Sequence, residues 1–418
     1  MKPSQFNHSV VLENGDRLLY NFFSGKCIRL NAFTMDCYEH PELYGETHRH
    51  VLQLRKAGFL TDFDEIAHLG ALVRARCGQS RRLSLVICPT LMCNFACPYC
   101  YETARGGRMT PETQDKVIAF SERLMRMGHP AEMQVTWYGG EPLLEPEIIQ
   151  ALSERLIALC EKYAITYNAN MVTNGYHLTG PVVSMLKTCR ITQIQVTLDG
   201  PNAQTHDVTR HLRGGGGTFD RIMENISNPE LPCHITVRCN VHSENAPFYG
   251  QLEERIKAFE KRVSVYPGYM DPDGSFIGKE MAYEDYSLLY CEHASEPNRL
   301  KYHGPYCKTP YAFNITVDER GNLYKCWEHV GVEPLIIGHI DSFDLTDPLS
   351  TNATLMTDYL NMAWPDEDAE CMSCELLPAC MGGCPIKRVR GMKQCIPEKY
   401  ALDDYVLKVA KRRGLWQK

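Results

Sequence analysis

The chain has no uninterrupted apolar run long enough to cross a bilayer, and its start, Met1-Lys-Pro-Ser-Gln-Phe-Asn-His8, lacks the apolar core of a secretory signal. No membrane partner is expected, and the expected compartment is the cytoplasm. A basic excess is missing too. Lys and Arg number 44 against 51 Asp and Glu, a net charge of −7. That disfavours nucleic acid as a partner, because phosphate binding needs clustered cations. The one basic run, Lys408-Val-Ala-Lys-Arg-Arg413, reads as cations at a helix C-terminus. The remaining composition is ordinary for a globular chain, and 418 residues are enough for two or three cores.

Cysteine is what the chain has in plenty, with nineteen. Cytosolic thiols stay reduced, so a disulfide framework is not expected and metal or catalytic roles rise. Nine of them (Cys27, Cys37, Cys77, Cys88, Cys160, Cys189, Cys233, Cys239 and Cys291) show no ligand spacing and mostly read as small buried apolar residues. Cys93, Cys97 and Cys100 are different. Their C-x3-C-x2-C spacing in Leu91-Met-Cys-Asn-Phe-Ala-Cys-Pro-Tyr-Cys-Tyr101 suits three irons of a [4Fe-4S] cube and leaves the fourth iron open. A cluster that only carries electrons has four cysteine ligands, so an open iron marks a reaction centre.

Three segments are expected. In residues 1–80, Val10–Leu12 and Leu18–Phe23 flank the hairpin signal Asn14-Gly15, Ser24-Gly25 turns into Cys27–Leu30, and helical patterns follow at Met35–Leu43 and His48–Ala57. This is a small separate α+β unit of a size suited to docking a partner; composition alone leaves a lid or structural extension as the alternative. Residues 81–289 alternate strands (Leu83–Cys88, Met133–Trp137, Asn170–Val172, Gln193–Leu198, His234–Asn240, Val263–Tyr266) with helices (Pro111–Met127, Glu145–Tyr163, Pro181–Lys187, Phe248–Glu260). Such alternation predicts a parallel α/β sheet, and six repeats fit a partial (β/α)6 barrel. The cysteine loop, Gly139-Gly-Glu-Pro142, Thr173-Asn-Gly175 and Asp199-Gly200 each follow a strand, at the edge where parallel α/β folds bind ligands. Residues 290–418 turn into cysteines, turns and short strands before a final helix over Glu398–Lys411.

That last segment holds Cys307-x13-Gly321-x4-Cys326, then Cys371-x2-Cys374-x5-Cys380-x3-Cys384, then Cys395. Seven cysteines exceed one four-ligand site and nearly fill two; spacing alone leaves zinc as an alternative to iron–sulfur.

The three-cysteine loop with Tyr99 before its last cysteine, followed by Gly139-Gly-Glu-Pro142 and Thr173-Asn-Gly175 in order, resembles the radical SAM superfamily. The seven-cysteine spacing resembles the SPASM domain, which carries two auxiliary [4Fe-4S] clusters. The resemblance covers about residues 82 to 396. It implies S-adenosyl-L-methionine (SAM) and three [4Fe-4S] clusters as cofactors. Cys93, Cys97 and Cys100 would hold the SAM-cleaving cluster, with the SAM amine and carboxylate on the open iron. Gly139, Gly140 and Glu141 would face the amine, and Asn174, Asp199 and Arg210 would contact SAM or substrate, Arg210 as a fork on the SAM carboxylate. Asn240, after the fifth strand, would meet the ribose. Cys371, Cys374, Cys380 and Cys395 would hold the distal auxiliary cluster, and Cys307, Cys326 and Cys384 the nearer one, which Cys291 either closes or leaves with an open iron.

The implied chemistry is cleavage of SAM to a 5′-deoxyadenosyl radical that abstracts hydrogen from an unactivated C–H bond. Residues 1–80 resemble the peptide-recognition element of ribosomal-peptide maturases. The implied partners are a precursor peptide with a leader segment and an electron donor such as flavodoxin or ferredoxin. The implied reaction is thioether or carbon–carbon crosslinking. An anaerobic sulfatase-maturating enzyme is the alternative; those enzymes usually carry an acidic residue directly after the position of Cys326, where this chain has Trp327 and then Glu328, and usually lack the N-terminal module. A non-catalytic metal-bound binding protein is the alternative of another class.

Overall fold

The computed structural model describes residues 1–79, 81–102, 105–259, 262–271, 278–293, 300–305 and 307–416. These form two compact units. One comprises Met1–Gln79, Ser287–Tyr311 and Leu360–Lys418; the other comprises Ser80–Tyr286 and Ala312–Tyr359.

The first unit begins with β1 (Lys2–Pro3), β2 (Asn7–Val11), β3 (Arg17–Asn21), β4 (Lys26–Leu30) and β5 (Leu60–Thr61), with α1 (Ala32–Glu39), α2 (Pro41–Tyr44), α3 (Arg49–Ala57) and α4 (Glu65–Gly78). Strands β2, β3 and β4 form an antiparallel sheet, and β1 pairs with β5. The β2–β3 turn forms where Asn14-Gly15 supplies it, with Gly15 at φ +84°. The single helix expected over Met35–Leu43 is broken at His40, because the residue before Pro41 is driven out of the helical region and Pro41 starts a new turn.

Both faces of this small sheet are covered. Leu19 and Leu30 pack with Met35, Cys37, Val51, Leu54 and Phe59 on one side. Leu18, Tyr20 and Phe22 pack with Leu376, Cys380, Ile396, Tyr405, Val406 and Val409 on the other. A strand whose neighbouring residues point to opposite faces and are all apolar needs two partners. Compactness therefore divides the chain differently from the three segments read off the sequence. The N-terminal hairpin and the C-terminal cysteine region share one unit.

The second unit is built on β6 (Arg82–Ile87), β7 (Glu132–Trp137), β8 (Thr166–Thr173), β9 (Ile191–Thr197), β10 (His234–Val241) and β11 (Val263–Tyr269), interleaved with α5 (Pro111–Gly128), α6 (Pro146–Lys162), α7 (Gly180–Thr188), α8 (Ala203–His206), α9 (Phe219–Ser227) and α10 (Tyr249–Lys257). All six strands are parallel and lie in chain order from β6 to β11, the partial-barrel arrangement expected from the alternating pattern. Leu83, Leu85 and Ile87 stand beside Met133, Val135 and Trp137 in register, all fully buried. Each such side chain contributes about 1.5–3 kcal/mol of apolar burial.

Strand β8 starts four residues earlier than Asn170. Tyr167, Ala169, Met171 and Thr173 are buried, while the intervening Asn168 and Asn170 lower β propensity and hid the alternation. Glu260, the expected end of the helix observed as α10, lies outside the described residues. The sheet also continues beyond six strands. β12 (Asn314–Val317) pairs parallel to β6, then β13 (Asn322–Tyr324) and β14 (Gly338–His339) follow antiparallel, so residues read only as turns and short strands extend the same sheet.

Helices α11 (Tyr283–His293) and α12 (Ala353–Asn361) each span a boundary between the two units. The first unit then adds α13 (Ala369–Ser373), α14 (Leu377–Cys380), α15 (Pro385–Val389) and α16 (Leu402–Arg412). The last of these is preceded by a 3-10 turn at Pro397–Ala401, so the helix expected from Glu398 begins later. Eight of the nine cysteines without ligand spacing are buried, and Cys291 is half-buried.

Candidate active site

Strand β6 ends at Ile87, and the chain runs from there into the cysteine loop. The loop is pinned from three sides. Glu141 donates its N–H to the Met92 carbonyl at 2.8 Å; Ala96 donates to the His211 carbonyl at 3.0 Å, and Arg213 donates to the Asn94 carbonyl at 2.8 Å. The guanidinium of Arg210 lies 5.5 Å over the ring of Phe95.

The Gly139-Gly140 pair explains how the second motif meets the first. A Cβ on Gly139, which sits at φ +115°, would stand 2.4 Å from the Thr90 carbonyl oxygen, and one on Gly140 would stand 2.4 Å from that of Met92. Only glycine admits this approach. Glu141 is fully buried, and its carboxylate accepts from Leu143 N–H at 2.9 Å, Thr173 Oγ1 at 2.7 Å and Asn174 N–H at 2.7 Å. Burial raises its pKa, and these three donors oppose the rise. The Gly-Gly-Glu and Thr-Asn-Gly motifs are thus locked to each other through one carboxylate.

Asn174 then reaches the loop itself. Its Nδ2 donates to Asn94 Oδ1 at 2.7 Å and lies 4.0 Å from Cys93 Sγ. On the other flank, Tyr99 is the hub. Its hydroxyl donates to Asp199 Oδ2 and accepts from Arg210 Nη1 at 3.0 Å and from Asn240 Nδ2 at 3.1 Å. Asp199 also accepts from Thr209 Oγ1 and the Asn240 N–H, both at 3.0 Å. Asn240 lies within β10, not after it. Tyr99, Asn174, Asp199, Arg210 and Asn240 are therefore brought around the cysteine loop from four strand ends.

Sequence reasoning missed the residues that support this ring. The Asp199 N–H donates to His206 Nδ1 at 3.0 Å, and His206 Nε2 meets Thr218 Oγ1 at 3.1 Å, which in turn donates to the Arg210 carbonyl at 2.6 Å. Burial, with Arg210 nearby, holds His206 well below its ordinary pKa, so it stays neutral with the proton on Nε2. Asn94 and Thr173 lie inside motifs already singled out and were visible there; His206, Thr209 and Thr218 had no local signal.

The site sets one guanidinium, Arg210, beside three thiols and the buried carboxylates Glu141 and Asp199. Burial raises the Cys93 thiol to about 12 and also raises Cys97 and Cys100, while Arg210 pulls Cys97 and Cys100 down. A bound metal removes such protons outright. Burial pulls on Arg210 too, but Tyr99, Cys97 and Asp199 outweigh it and keep the guanidinium charged. Its Nε is buried without a partner among the described residues, a donor that an incoming carboxylate would satisfy. Three reduced thiols on one loop and a guanidinium with one open donor beside them fit an iron–sulfur cube with a carboxylate-bearing ligand. Among the described residues no three His, Cys, Asp or Glu side chains close on a single point, as a mononuclear ion requires; a cube instead gives each thiolate its own iron.

A second group of cysteines lies in the other unit. Cys371, Cys374, Cys380 and Cys395 line one cavity with Leu376, Leu377, Ile396, Lys393 and Lys399. Cys384 caps the start of α15. Cys307 Sγ accepts from Thr309 N–H at 3.4 Å, and Cys291 sits on α11, its carbonyl taking Lys408 Nζ at 2.8 Å. Cys326 follows β13 in the sheet unit.

Residues 87–228 match the Radical SAM superfamily. This stretch is a radical SAM domain. Its superfamily uses SAM and a [4Fe-4S] cluster. The chain is 28% identical over 177 residues to the AdoMet-dependent heme synthase of Methanosarcina barkeri, covering 41% of this chain and 44% of that protein, so it spans less than half that relative's length. The serine-type anaerobic sulfatase-maturating enzyme of Bacteroides thetaiotaomicron is 27% identical over 342 residues, covering 71% of this chain and 81% of that one. In fold, the chain is similar to native anSMEcpe with bound AdoMet and Cp18Cys peptide (TM-score 0.58, 18% identity, 79% of this chain and 98% of that one). It is also similar to Streptococcus suis SuiB bound to precursor peptide SuiA (TM-score 0.52, 16% identity, 93% and 96%). The chain thus shares its fold with two structures solved with a bound peptide. No helix among the described residues is long and apolar enough to cross a membrane.

Proposed function

We propose that the protein is a radical SAM maturase that modifies a ribosomally made precursor peptide by thioether or carbon–carbon crosslinking. The observation that carries this reading is the ring of Tyr99, Asn174, Asp199, Arg210 and Asn240 around a loop of three reduced cysteines. When bound, the cluster and SAM supply a 5′-deoxyadenosyl radical that removes hydrogen from a C–H bond. Cys93, Cys97 and Cys100 would hold the cluster and leave one iron for SAM. Arg210 would give its unanswered Nε–H to the SAM carboxylate, and Asn240 would meet the ribose. Gly139 and Gly140 let the strand-end turn close on the loop, and carbonyls of Gly139–Glu141 would receive the SAM amine. The side chain of Glu141 acts from behind, fixing the turn that carries Asn174.

The four cysteines lining one cavity support a distal auxiliary cluster on Cys371, Cys374, Cys380 and Cys395. With Cys307, Cys326 and Cys384 for a nearer one, closed by Cys291 or left open, the chain would carry three [4Fe-4S] clusters. A flavodoxin or ferredoxin would supply the electron. Division of labour follows: residues 1–80 grip a leader segment, 81–289 perform the radical step and 290–418 hold the auxiliary clusters.

A second reading is supported by the long match to the Bacteroides sulfatase-maturating enzyme. In that reading an acidic residue after Cys326 takes a substrate proton. Here Trp327 holds that place, stacked on Tyr138 with ring centroids 5.2 Å apart, which favours peptide crosslinking. The test is anaerobic reconstitution followed by mass spectrometry of a short Cys-rich or aromatic-rich peptide encoded beside this protein. A loss of two hydrogens supports the crosslinking reading; formylglycine formation on a sulfatase peptide instead supports the second.

A further inference from the structure

One charged side chain of the parallel sheet has no part in the steps above. Strands β8, β9, β10 and β11 contain a single Asp, Glu, Lys or Arg, and it is Arg238 on β10. It lies two residues before Asn240, so both side chains leave the same face of the sheet. That face is polar. Across from Arg238 stand Thr197 on β9 and Tyr266 on β11, and across from Thr236 stand Gln195 and Ser264. The intervening Val237, Cys239 and Val241 are buried on the other face.

The guanidinium is held in a fixed place. Its Nε donates to Asn240 Oδ1 at 2.7 Å and its Nη2 to the Tyr269 carbonyl at 3.1 Å. The side chain of Tyr266 bonds it as well. That hydroxyl gives its proton to Gln195 Oε1 at 2.9 Å, so it meets Arg238 as an acceptor. Gly268, paired with Asn240, makes the room: a Cβ there would stand 2.5 Å from Arg238 Nε. Every one of these acceptors is neutral, and among the described residues no carboxylate forms an ion pair with Arg238. A partly buried cation without a counter-charge costs free energy that an anion would recover. A guanidinium carries more N–H donors than these acceptors take. Arg238 is partly exposed, so donors remain within reach of a ligand.

We propose that Arg238 anchors a subsite for a carboxylate of the peptide substrate, borne by an Asp or Glu side chain or by a free C-terminus; this rests on the maturase reading above. A carboxylate supplies the missing counter-charge and takes the remaining N–H donors in charge-assisted hydrogen bonds. A neutral amide of the same shape would accept a bond and leave the charge uncompensated. A basic side chain would face a fixed cation. The carboxylate of SAM goes to Arg210 in the reading above, which leaves Arg238 for the substrate.

The test uses the reconstituted full chain saturated with SAM and titrated calorimetrically with two pairs of probes. N-acetyl-glutamate amide against N-acetyl-glutamine amide reads a side-chain carboxylate, and N-acetyl-alanine against N-acetyl-alanine amide reads a C-terminal one. In at least one pair the acid should bind roughly tenfold more tightly than its amide. Arg238→Gln should remove that preference, and Arg238→Lys, which keeps a point charge, should retain part of it. A role confined to orienting Asn240 would change SAM affinity and leave the ratio within each pair alone. If Arg238→Gln loses iron, Gly268→Ala replaces it and should shrink the preference by crowding Nε. Equal binding within both pairs, or a preference unchanged in the variant, overturns the subsite. Formation of 5′-deoxyadenosine by the same preparation reports separately on the maturase reading. Its absence sinks that reading, whereas its presence without a carboxylate preference sinks the subsite alone.

Discussion

The carbonyl oxygen of Met92 lies 2.4 Å from where a Cβ on Gly140 would stand. The cysteine loop and the Gly-Gly-Glu turn are therefore built against each other, backbone to backbone, and the carboxylate of Glu141 extends that contact to Thr173 and Asn174. Gly140→Ala should push the loop off its seat, because neither neighbour is a flexible side chain. Iron analysis after anaerobic reconstitution should fall by about four irons per chain, the content of one cube, and SAM cleavage should be lost. Full iron content in this variant would contradict the packing argument.

Tyr99→Phe removes one hydroxyl and strands two donors, Arg210 Nη1 and Asn240 Nδ2, while Asp199 Oδ2 keeps only its bond from Thr209 Oγ1. Stranding buried polar partners costs about 1–3 kcal/mol each. Equilibrium binding of SAM should weaken by roughly tenfold or more, which corresponds to about 1.4 kcal/mol, with iron content unchanged. Unaltered affinity would mean that the ring of polar residues does not serve SAM.

His8 ties the N-terminal sheet to the cysteine region, with Nδ1 2.8 Å from Glu375 Oε1 and Nε2 2.7 Å from Asp403 Oδ1. Burial alone would lower its pKa, but the two carboxylates outweigh burial and raise it above 6.5. The folded state thus holds the proton more tightly than the unfolded chain. Its stabilisation is complete below pH 6.5 and disappears as pH rises through the raised folded value. Thermal melts of the wild type and His8→Gln should differ most below pH 6.5 and converge as pH rises through the raised folded value. A gap independent of pH would show that His8 acts only by shape.

Lys399 Nζ lies 3.5 Å from Cys395 Sγ and 2.9 Å from Glu370 Oε1. Donors to ligand sulfurs and nearby positive charge favour the reduced, more negative form of a cluster. With a cluster on Cys371, Cys374, Cys380 and Cys395, Lys399→Met should lower its midpoint potential. Redox titration followed by electron paramagnetic resonance, in a variant whose radical-cluster cysteines and Cys307, Cys326 and Cys384 are all Ala, reads that signal alone. An unchanged potential would remove Lys399 from the cluster's surroundings.

Much of the fold was legible because its signals are local. Six apolar runs spaced by amphipathic helices specify six parallel strands, and each motif sits where its strand ends. What escaped depends on distant residues. The start of β8 was hidden by Asn168 and Asn170, which a buried sheet tolerates at alternate positions. The β12–β14 extension is short, and its identity as sheet comes only from pairing with β6. That β3 needs the C-terminal cysteine region on its second face could be read from Leu18, Leu19 and Tyr20 being apolar in succession, but the partner could not. Within the site, cysteine spacing named the loop. The neutral His206 behind Asp199 and the stacking of Trp327 on Tyr138 arise from tertiary contacts that no spacing encodes.

The central claim is that Cys93, Cys97 and Cys100 carry the SAM-cleaving centre. The most direct measurement is 5′-deoxyadenosine formed from SAM by the reconstituted, chemically reduced protein, compared with the variant in which all three cysteines are Ala. The wild type should form it, and the variant should form none while keeping about eight of twelve irons from two auxiliary cubes. Equal formation by the variant, or none by a fully iron-loaded wild type, would contradict the account.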